Sequence, residues 1–204
     1  GLGDVYKRQL EISIEQRRLL GEFEPALQND EFVMYLQPQV KRDGAAKGAE
    51  ALVRWVHPSR GILTPYAFID ILENAGLIYK LDLYIWEKAA QKLAEWKEKG
   101  YGSYHISVNI STKDFYIIDI YETFTGLINK YGIAASNLHL EITETTLMTD
   151  FEKNMNIIHK LQNVGFRVEI DDFGSGYSSL NMLKDISADA VSYTHLTLPT
   201  TERV

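Results

Sequence analysis

The chain has 204 residues, of which 45% are hydrophobic and 24% are charged, the balance of one ordinary globular domain. Its net charge of −7 argues against a general DNA- or RNA-binding protein, because such proteins usually have a basic face. The lack of cysteine excludes disulfides and thiolate metal sites. No apolar run approaches the roughly 18 residues of a membrane span. We therefore expect a cytoplasmic segment without membrane contact.

The two ends of the chain can be translated from one DNA element read in opposite orientations. Residues 4–9 read Asp-Val-Tyr-Lys-Arg-Gln, and the reverse complement of one set of their codons encodes Val-Ser-Tyr-Thr-His, as in residues 191–195. The leucine at position 196 is compatible with the same reading frame. The element resembles the transposase recognition end used to prepare sequencing libraries. We therefore expect residues 1–9 and 191–204 to be adaptor-derived and exclude them from the fold prediction.

The remaining sequence alternates between helix-type and strand-type patterns. A helix is predicted at residues 12–28, and helical stretches are predicted at 64–76, 81–99, 113–131, 151–164 and from 178. The predicted strands span residues 33–38, 49–55, 104–110, 137–143 and 166–171. This repeated order indicates an α/β fold with parallel strands joined by right-handed crossovers.

Two architectures fit this order, an open doubly wound sheet and a (β/α)8 barrel. In the fourth predicted strand Leu138, Leu140 and Ile142 alternate with the polar-side residues His139, Glu141 and Thr143. Strands inside a doubly wound sheet are usually apolar on both faces, whereas a polar face suits a barrel interior. We therefore predict a partial (β/α)8 TIM-type barrel with about five of its eight strands present.

Several predicted strands end in residues that can bind a metal. These residues are Glu50, Asn109, Glu141, Glu144, Asp171 and Asp172. Charged groups gathered at one place repel each other and lose hydration unless a positive charge lies between them. All are hard oxygen ligands, which favours one or two Mg²⁺ or Mn²⁺ ions.

These motifs resemble those of the EAL-domain family, bacterial phosphodiesterases that hydrolyse cyclic di-GMP. The similarity covers residues 12–190 and includes the signature Glu50-Ala51-Leu52-Val53-Arg54-Trp55. Four further motifs follow the family order, at residues 37–38, 107–111, 141–144 and 171–180. The resemblance implies a linker helix at residues 10–30 and a truncated EAL domain at residues 31–190.

The resemblance also implies residue roles. Glu50, Asn109, Glu141 and Asp171 would bind the first of two Mg²⁺ or Mn²⁺ ions, and Asp171 would bridge to a second ion that Asp172 also holds. The expected catalytic residues are Glu50, Asp171, Asp172 and Glu144, and the expected substrate-binding residues are Gln37, Leu52 and Arg54. The two ions would activate a water that opens cyclic di-GMP to linear pGpG. Glu144 would hold the loop at residues 173–179.

Two of these residues have plainer interpretations. Arg54 shares a strand face with Glu50, where a guanidinium can pair with phosphate, but it could also form a surface salt bridge. Glu144 could instead be a helix-start carboxylate next to Thr143 as the cap. The scattered histidines His57, His105, His139 and His159 lack ligand spacing, and we expect polar core or surface roles for them.

The family continues after Ala190 with a strand whose lysine helps to orient the attacking water, but here Val191-Ser192-Tyr193 follows. We therefore expect a parent protein that hydrolyses cyclic di-GMP and a chain that, as written, is inactive. The alternative function is a catalytically inactive cyclic di-GMP receptor, although such domains usually lack some metal ligands. The resemblance further implies a homodimer and an upstream GGDEF or sensory domain in the parent.

Overall fold

The computed structural model describes residues 2–40, 46–171 and 190–191. The helices are α1 Leu2–Gln28, α2 Ile69–Asn74, α3 Ile78–Glu98, α4 Asp114–Ile117, α5 Ile120–Tyr131, α6 Glu144–Thr149 and α7 Phe151–Val164. The strands are β1 Phe32–Val40, β2 Ala46–His57, β3 Gly61–Leu63, β4 His105–Ile110, β5 Leu138–Thr143, β6 Arg167–Asp171 and β7 Ala190–Val191. Short 3-10 helices span Pro65–Ala67 and Ala135–Asn137.

The strands form one mixed sheet in the order β1-β2-β4-β5-β6-β7, with β3 added on β2. Strands β2, β4, β5, β6 and β7 run parallel, and helices connect most of them, which confirms the predicted α/β class. The expectation of parallel strands is wrong for β1 and β2, which pair antiparallel. Residues 41–45 alone separate them, and a parallel crossover needs about a dozen residues or more.

The five predicted strands are all present, but the prediction missed β3 and β7. The predicted helix at residues 64–76 divides into a 3-10 turn and α2, with Phe68 between them. The helix predicted from residue 12 begins already at Leu2. The sequence interpretation assigned Val191 to the adaptor. In the structure Val191 belongs to β7 and pairs with Ile170 of β6. The helix predicted from residue 178 lies outside the described residues.

The alternating strands divide their side chains between two faces, as predicted. The apolar row of β4 and β5 is 4% exposed or less and consists of Ile106, Val108, Ile110, Leu138, Leu140 and Ile142. On the side of the helices, the Trp86 ring of α3 lies 4.5 Å from Phe124 of α5, between ring centroids. Phe124 in turn contacts Phe166 at the start of β6. The helices therefore cover the apolar row, and the polar row faces the other side.

Helix α1 is attached to β2 by an aromatic cluster and by polar contacts. Phe32 lies between Phe23, Trp55 and Phe68, at centroid distances of 5.6, 4.8 and 5.7 Å. His57 Nε2 lies 2.8 Å from the Glu22 carboxylate. The apolar residues of this helix are only partly buried, since Ile14 is 57% exposed. Among the described residues, we find no helix with the length and apolar content that a membrane crossing requires.

A buried pair of carboxyl groups, Asp82 and Asp114, joins α3 to the start of α4. Asp114 is fully buried, and its Oδ2 accepts hydrogen bonds from Ser111 N at 2.8 Å and Ser111 Oγ at 2.7 Å. Burial, followed by the negative charge of Asp114, raises the pKa of Asp82 well above its ordinary value. Glu73 adds to this shift, whereas a hydrogen bond from Ser111 opposes it. We infer that Asp82 is protonated and donates to Asp114, so that one proton is shared by the pair.

This pair predicts a pH-dependent stability that Asp82→Asn removes. Folding raises the pKa of Asp82. Its contribution to the free energy of unfolding is therefore fully present below the unfolded pKa of about 3.8 and is lost as pH rises through the folded pKa. Asparagine keeps a donor for Asp114 and does not ionise. Thermal melts of the full-length protein should show little difference at pH 5 and a gain of a few degrees, on the order of 1 kcal/mol, at pH 8.

The matched control for this prediction is Asp114→Ala. It removes the oxygens that accept from Ser111 and should cost about 1–3 kcal/mol across the same pH range. If the melting temperatures of the wild type and Asp82→Asn changed with pH by the same amount, proton sharing would be contradicted.

Candidate functional site

The polar face collects residues from five neighbouring strands. Residues directly opposite in a ladder share a face, and Gln37 is opposite Glu50 in the β1–β2 pair. In the parallel ladders Glu50 is opposite Ser107, Asn109 is opposite Glu141, and Thr143 is opposite Asp171. The predicted residues Gln37, Glu50, Leu52, Arg54, Asn109, Glu141 and Asp171 therefore lie on one face of the sheet.

The centre of this face is formed by Glu50, Asn109 and Glu141. Asn109 Nδ2 donates to Glu50 Oε1 at 3.1 Å, so the amide occupies one oxygen of the carboxylate. Burial, followed by the negative charge of Glu50, raises the pKa of Glu141 to about 7. Hydrogen bonds from Ser107 and Gln39 act in the opposite direction. Burial and the charge of Glu50 together therefore favour a proton on Glu141 near neutral pH.

These groups fit a hard divalent cation. A positive ion between Glu50 and Glu141 would remove the repulsion that raises the Glu141 pKa, and the Asn109 amide can offer its oxygen as a ligand. In the described part of the chain, no group of three or more His, Cys, Asp or Glu side chains could hold a metal ion. The structure thus brings together two carboxylates and an amide. It places Asp171 at the end of β6, and Asp172 lies outside the described residues.

Arg54 lies on the same face, four residues beyond Glu50. Its guanidinium lies over the Tyr35 ring at 5.8 Å from the centroid, and its Nη1 donates to the Val53 carbonyl at 2.8 Å. Tyr35 is directly opposite Leu52, for which the resemblance implies substrate binding. An aromatic ring, an aliphatic side chain and a cation therefore adjoin the carboxylates. Gln37 is exposed beside them.

Thr143 and Glu144 form the start of α6. Thr143 is the N-cap, and its side chain accepts from Thr146 N at 3.2 Å. Glu144 is the first helical residue and is only 3% exposed. The helix start has the geometry of the plainer interpretation of Glu144, which is compatible with the loop role. The loop at residues 173–179, which the resemblance connects to Glu144, lies outside the described residues.

The sequence prediction missed Tyr35, Gln39 and Ser107. Gln39 Nε2 donates to Glu141 Oε1 at 3.2 Å, and Ser107 Oγ lies 3.4 Å from Gln39 Oε1. A signal was present, because residues two positions from Gln37 on a strand share its face. The histidines take polar core or surface positions as predicted, with His57 and His139 buried and His159 exposed.

A mixed, largely parallel α/β sheet with carboxylate and amide groups gathered on one face has the layout of a barrel-type site. The chain belongs to the EAL domain family, whose model matches residues 21–194. It is 34% identical over 175 residues to the bifunctional diguanylate cyclase/cyclic di-GMP phosphodiesterase MucR of Pseudomonas aeruginosa, covering 85% of this chain and 26% of that protein.

Two further comparisons agree with this membership. The cyclic di-GMP phosphodiesterase PdeR of Escherichia coli is 32% identical over 166 residues, which are 81% of this chain and 25% of PdeR. The solved structure of the PaMucR phosphodiesterase in complex with c-di-GMP has a TM-score of 0.81 at 33% identity. That match covers 85% of this chain and 71% of the solved one. The chain therefore spans about a quarter of the length of these curated relatives.

Proposed function

We propose that this chain is part of a metal-dependent phosphodiesterase that hydrolyses cyclic di-GMP to linear pGpG. The observation that carries the proposal is the group of Glu50, Asn109 and Glu141 on the inner face of an EAL-family sheet. The raised pKa of Glu141 supports it, because a carboxyl kept beside another carboxylate is destabilised unless a cation joins them. The substrate is transferred from the relatives MucR and PdeR, which are named as cyclic di-GMP phosphodiesterases.

The residues that would hold two Mg²⁺ or Mn²⁺ ions are Glu50, Asn109, Glu141, Asp171 and Asp172. When bound, such ions would supply positive charge against the phosphodiester and lower the pKa of a water molecule. Arg54, fixed over Tyr35, would pair with a phosphate oxygen. Gln37 would donate a hydrogen bond to the substrate, and Leu52 would pack against a guanine ring. Glu144 would support the catalytic loop from the start of α6.

The test is hydrolysis of cyclic di-GMP by the full-length gene product that contains this segment. We expect linear pGpG in the presence of Mg²⁺ or Mn²⁺, loss of the product after chelation, and recovery when the ion is restored. The reason is that each proposed ligand offers oxygen to a hard cation. Product can be separated from substrate by ion-exchange chromatography. Tight binding of cyclic di-GMP without any linear product would favour the receptor function instead.

The proposal also covers the cellular location, the neighbouring domain and the oligomeric state. A cytoplasmic location follows if the substrate is an internal second messenger. An upstream GGDEF domain is suggested by MucR, which is named as bifunctional with a diguanylate cyclase. We further propose a homodimer in which the loop at residues 173–179 couples dimerisation to metal binding.

A further inference from the structure

A layer of polar side chains lies next to Glu50 and Glu141 on the inner face of the sheet. We call this set the polar layer, and it consists of Gln39 of β1, His105 of β4, His139 of β5 and Glu169 of β6. The rings of His105 and His139 are stacked at 3.8 Å between centroids, with 8° between their planes. His139 Nδ1 lies 2.8 Å from Glu169 Oε1, and His105 Nε2 lies 3.2 Å from Gln39 Oε1. The layer thus connects four strands.

The position of His105 depends on Gly48, which is opposite Gln39 in the β1–β2 ladder. A Cβ atom added at Gly48 would lie 1.9 Å from His105 Nε2, too close for any side chain. Glycine therefore lets the imidazole lie directly against the β2 backbone. From there its Nε2 reaches the Gln39 amide.

These contacts fix which end of the Gln39 amide faces Glu141. The amide oxygen faces His105 Nε2, which can donate to it, and lies 3.4 Å from the Ser107 hydroxyl, whose single proton is shared with Glu141. The amide nitrogen is consequently turned the other way, and it donates to Glu141 Oε1 at 3.2 Å. A neutral amide held by its oxygen cannot rotate without losing these bonds. Its N–H is therefore a directed donor to one oxygen of this carboxylate.

We propose that Gln39, oriented by His105, is a positioning residue that presents the Glu141 carboxylate to the divalent cation of the proposed function. The donor occupies one lone pair of Oε1 and fixes the orientation of the carboxylate, whose other lone pairs can bind a cation. Partners of this kind typically change metal affinity by about 10–100-fold when they are removed.

The test is Gln39→Met in the full-length protein, since methionine has a similar length and no N–H donor. We expect the affinity for Mn²⁺, measured by isothermal titration calorimetry, to fall by about 10–100-fold. At saturating Mn²⁺ the KM for cyclic di-GMP should change little, because Gln39 has no substrate contact in the proposal. Gln91→Met is the matched control, since its amide donates to the Tyr131 hydroxyl at the surface of α3. That control should bind Mn²⁺ like the wild type.

A second variant separates orientation from simple packing. His105→Phe retains a flat ring beside His139 but removes the donor to the Gln39 oxygen, so Mn²⁺ affinity should also fall. The double variant with Gln39→Met should bind Mn²⁺ no more weakly than Gln39→Met alone, because both changes break one chain of contacts. If Gln39→Met does not fold, His105→Phe decides the question by the same titration.

The outcome that overturns this inference differs from the one that overturns the proposed function. If Gln39→Met bound Mn²⁺ like the wild type, the positioning role would be refuted, even where cyclic di-GMP hydrolysis is intact. If that variant does not fold, the same result in His105→Phe would refute it. Conversely, a wild-type protein that binds Mn²⁺ but does not hydrolyse cyclic di-GMP would end the proposed function. The loss of Mn²⁺ affinity in Gln39→Met would then still support positioning.

Discussion

Replacing Glu141 by glutamine should lower kcat/KM for cyclic di-GMP by about 10³-fold or more, equivalent to ~4 kcal/mol of transition-state stabilisation. Glutamine has nearly the same shape and still offers an oxygen to the Gln39 donor. It removes the negative charge that would bind the cation. Rates of pGpG formation at several Mn²⁺ concentrations measure the effect, and calorimetry should show weaker binding of Mn²⁺.

Loss of activity in Glu141→Gln should not come from unfolding. Because folding raises the pKa of Glu141 to about 7, the metal-free protein loses stability as pH rises from the unfolded value of 4.5 through 7. At pH 8 the variant no longer buries an ionised carboxylate, so its melting temperature without metal should equal or exceed that of the wild type.

The matched control is Glu95→Gln on the surface of α3, where the acid pairs with Lys92 and Lys99. This change should leave both the rate and the Mn²⁺ affinity within about twofold, since surface ion pairs contribute little. Wild-type rates in Glu141→Gln would refute a metal-ligand role for that residue.

The two faces of the central strands could be predicted from sequence because alternation is a local property. Leu138, Leu140 and Ile142 needed only their spacing to be placed against the helices, and His139 and Glu141 followed on the other face. Family motifs then identified Glu50 and Asn109, whose side chains are in direct contact.

What sequence reasoning could not provide is contact between residues distant along the chain. Gln39 and Glu141 are separated by 102 positions, and their hydrogen bond depends on strand register. Trp86 lies at helical spacing, but its hydrogen bond to a strand carbonyl could not be predicted from that spacing. The antiparallel pairing of β1 and β2 was also missed, because the alternation of strands and helices does not predict a hairpin.

Trp86→Ala should reduce the free energy of unfolding by about 3–5 kcal/mol, the cost typical of removing a fully buried large aromatic residue. The Trp86 side chain is 0% exposed and its ring contacts Phe124 at 4.5 Å between centroids. Its Nε1 also donates to the Asn109 carbonyl at 3.0 Å. Urea unfolding of the full-length protein, followed by the loss of helical circular dichroism, measures the change.

Trp96→Ala, on the same helix, is the control for the cost of leaving a cavity in the core. Trp96 is only half-buried and meets Tyr104 edge-on at 5.9 Å, so its removal should cost about 1–2 kcal/mol. Trp86→Phe isolates the hydrogen bond, since it keeps an aromatic ring and loses the donor to the end of β4. If that donor fixes the strand end, Trp86→Phe should weaken Mn²⁺ binding as well as stability, whereas Trp96→Ala should change stability alone. Equal losses of stability in Trp86→Ala and Trp96→Ala would mean that the α3–β4 contact is not the centre of this core.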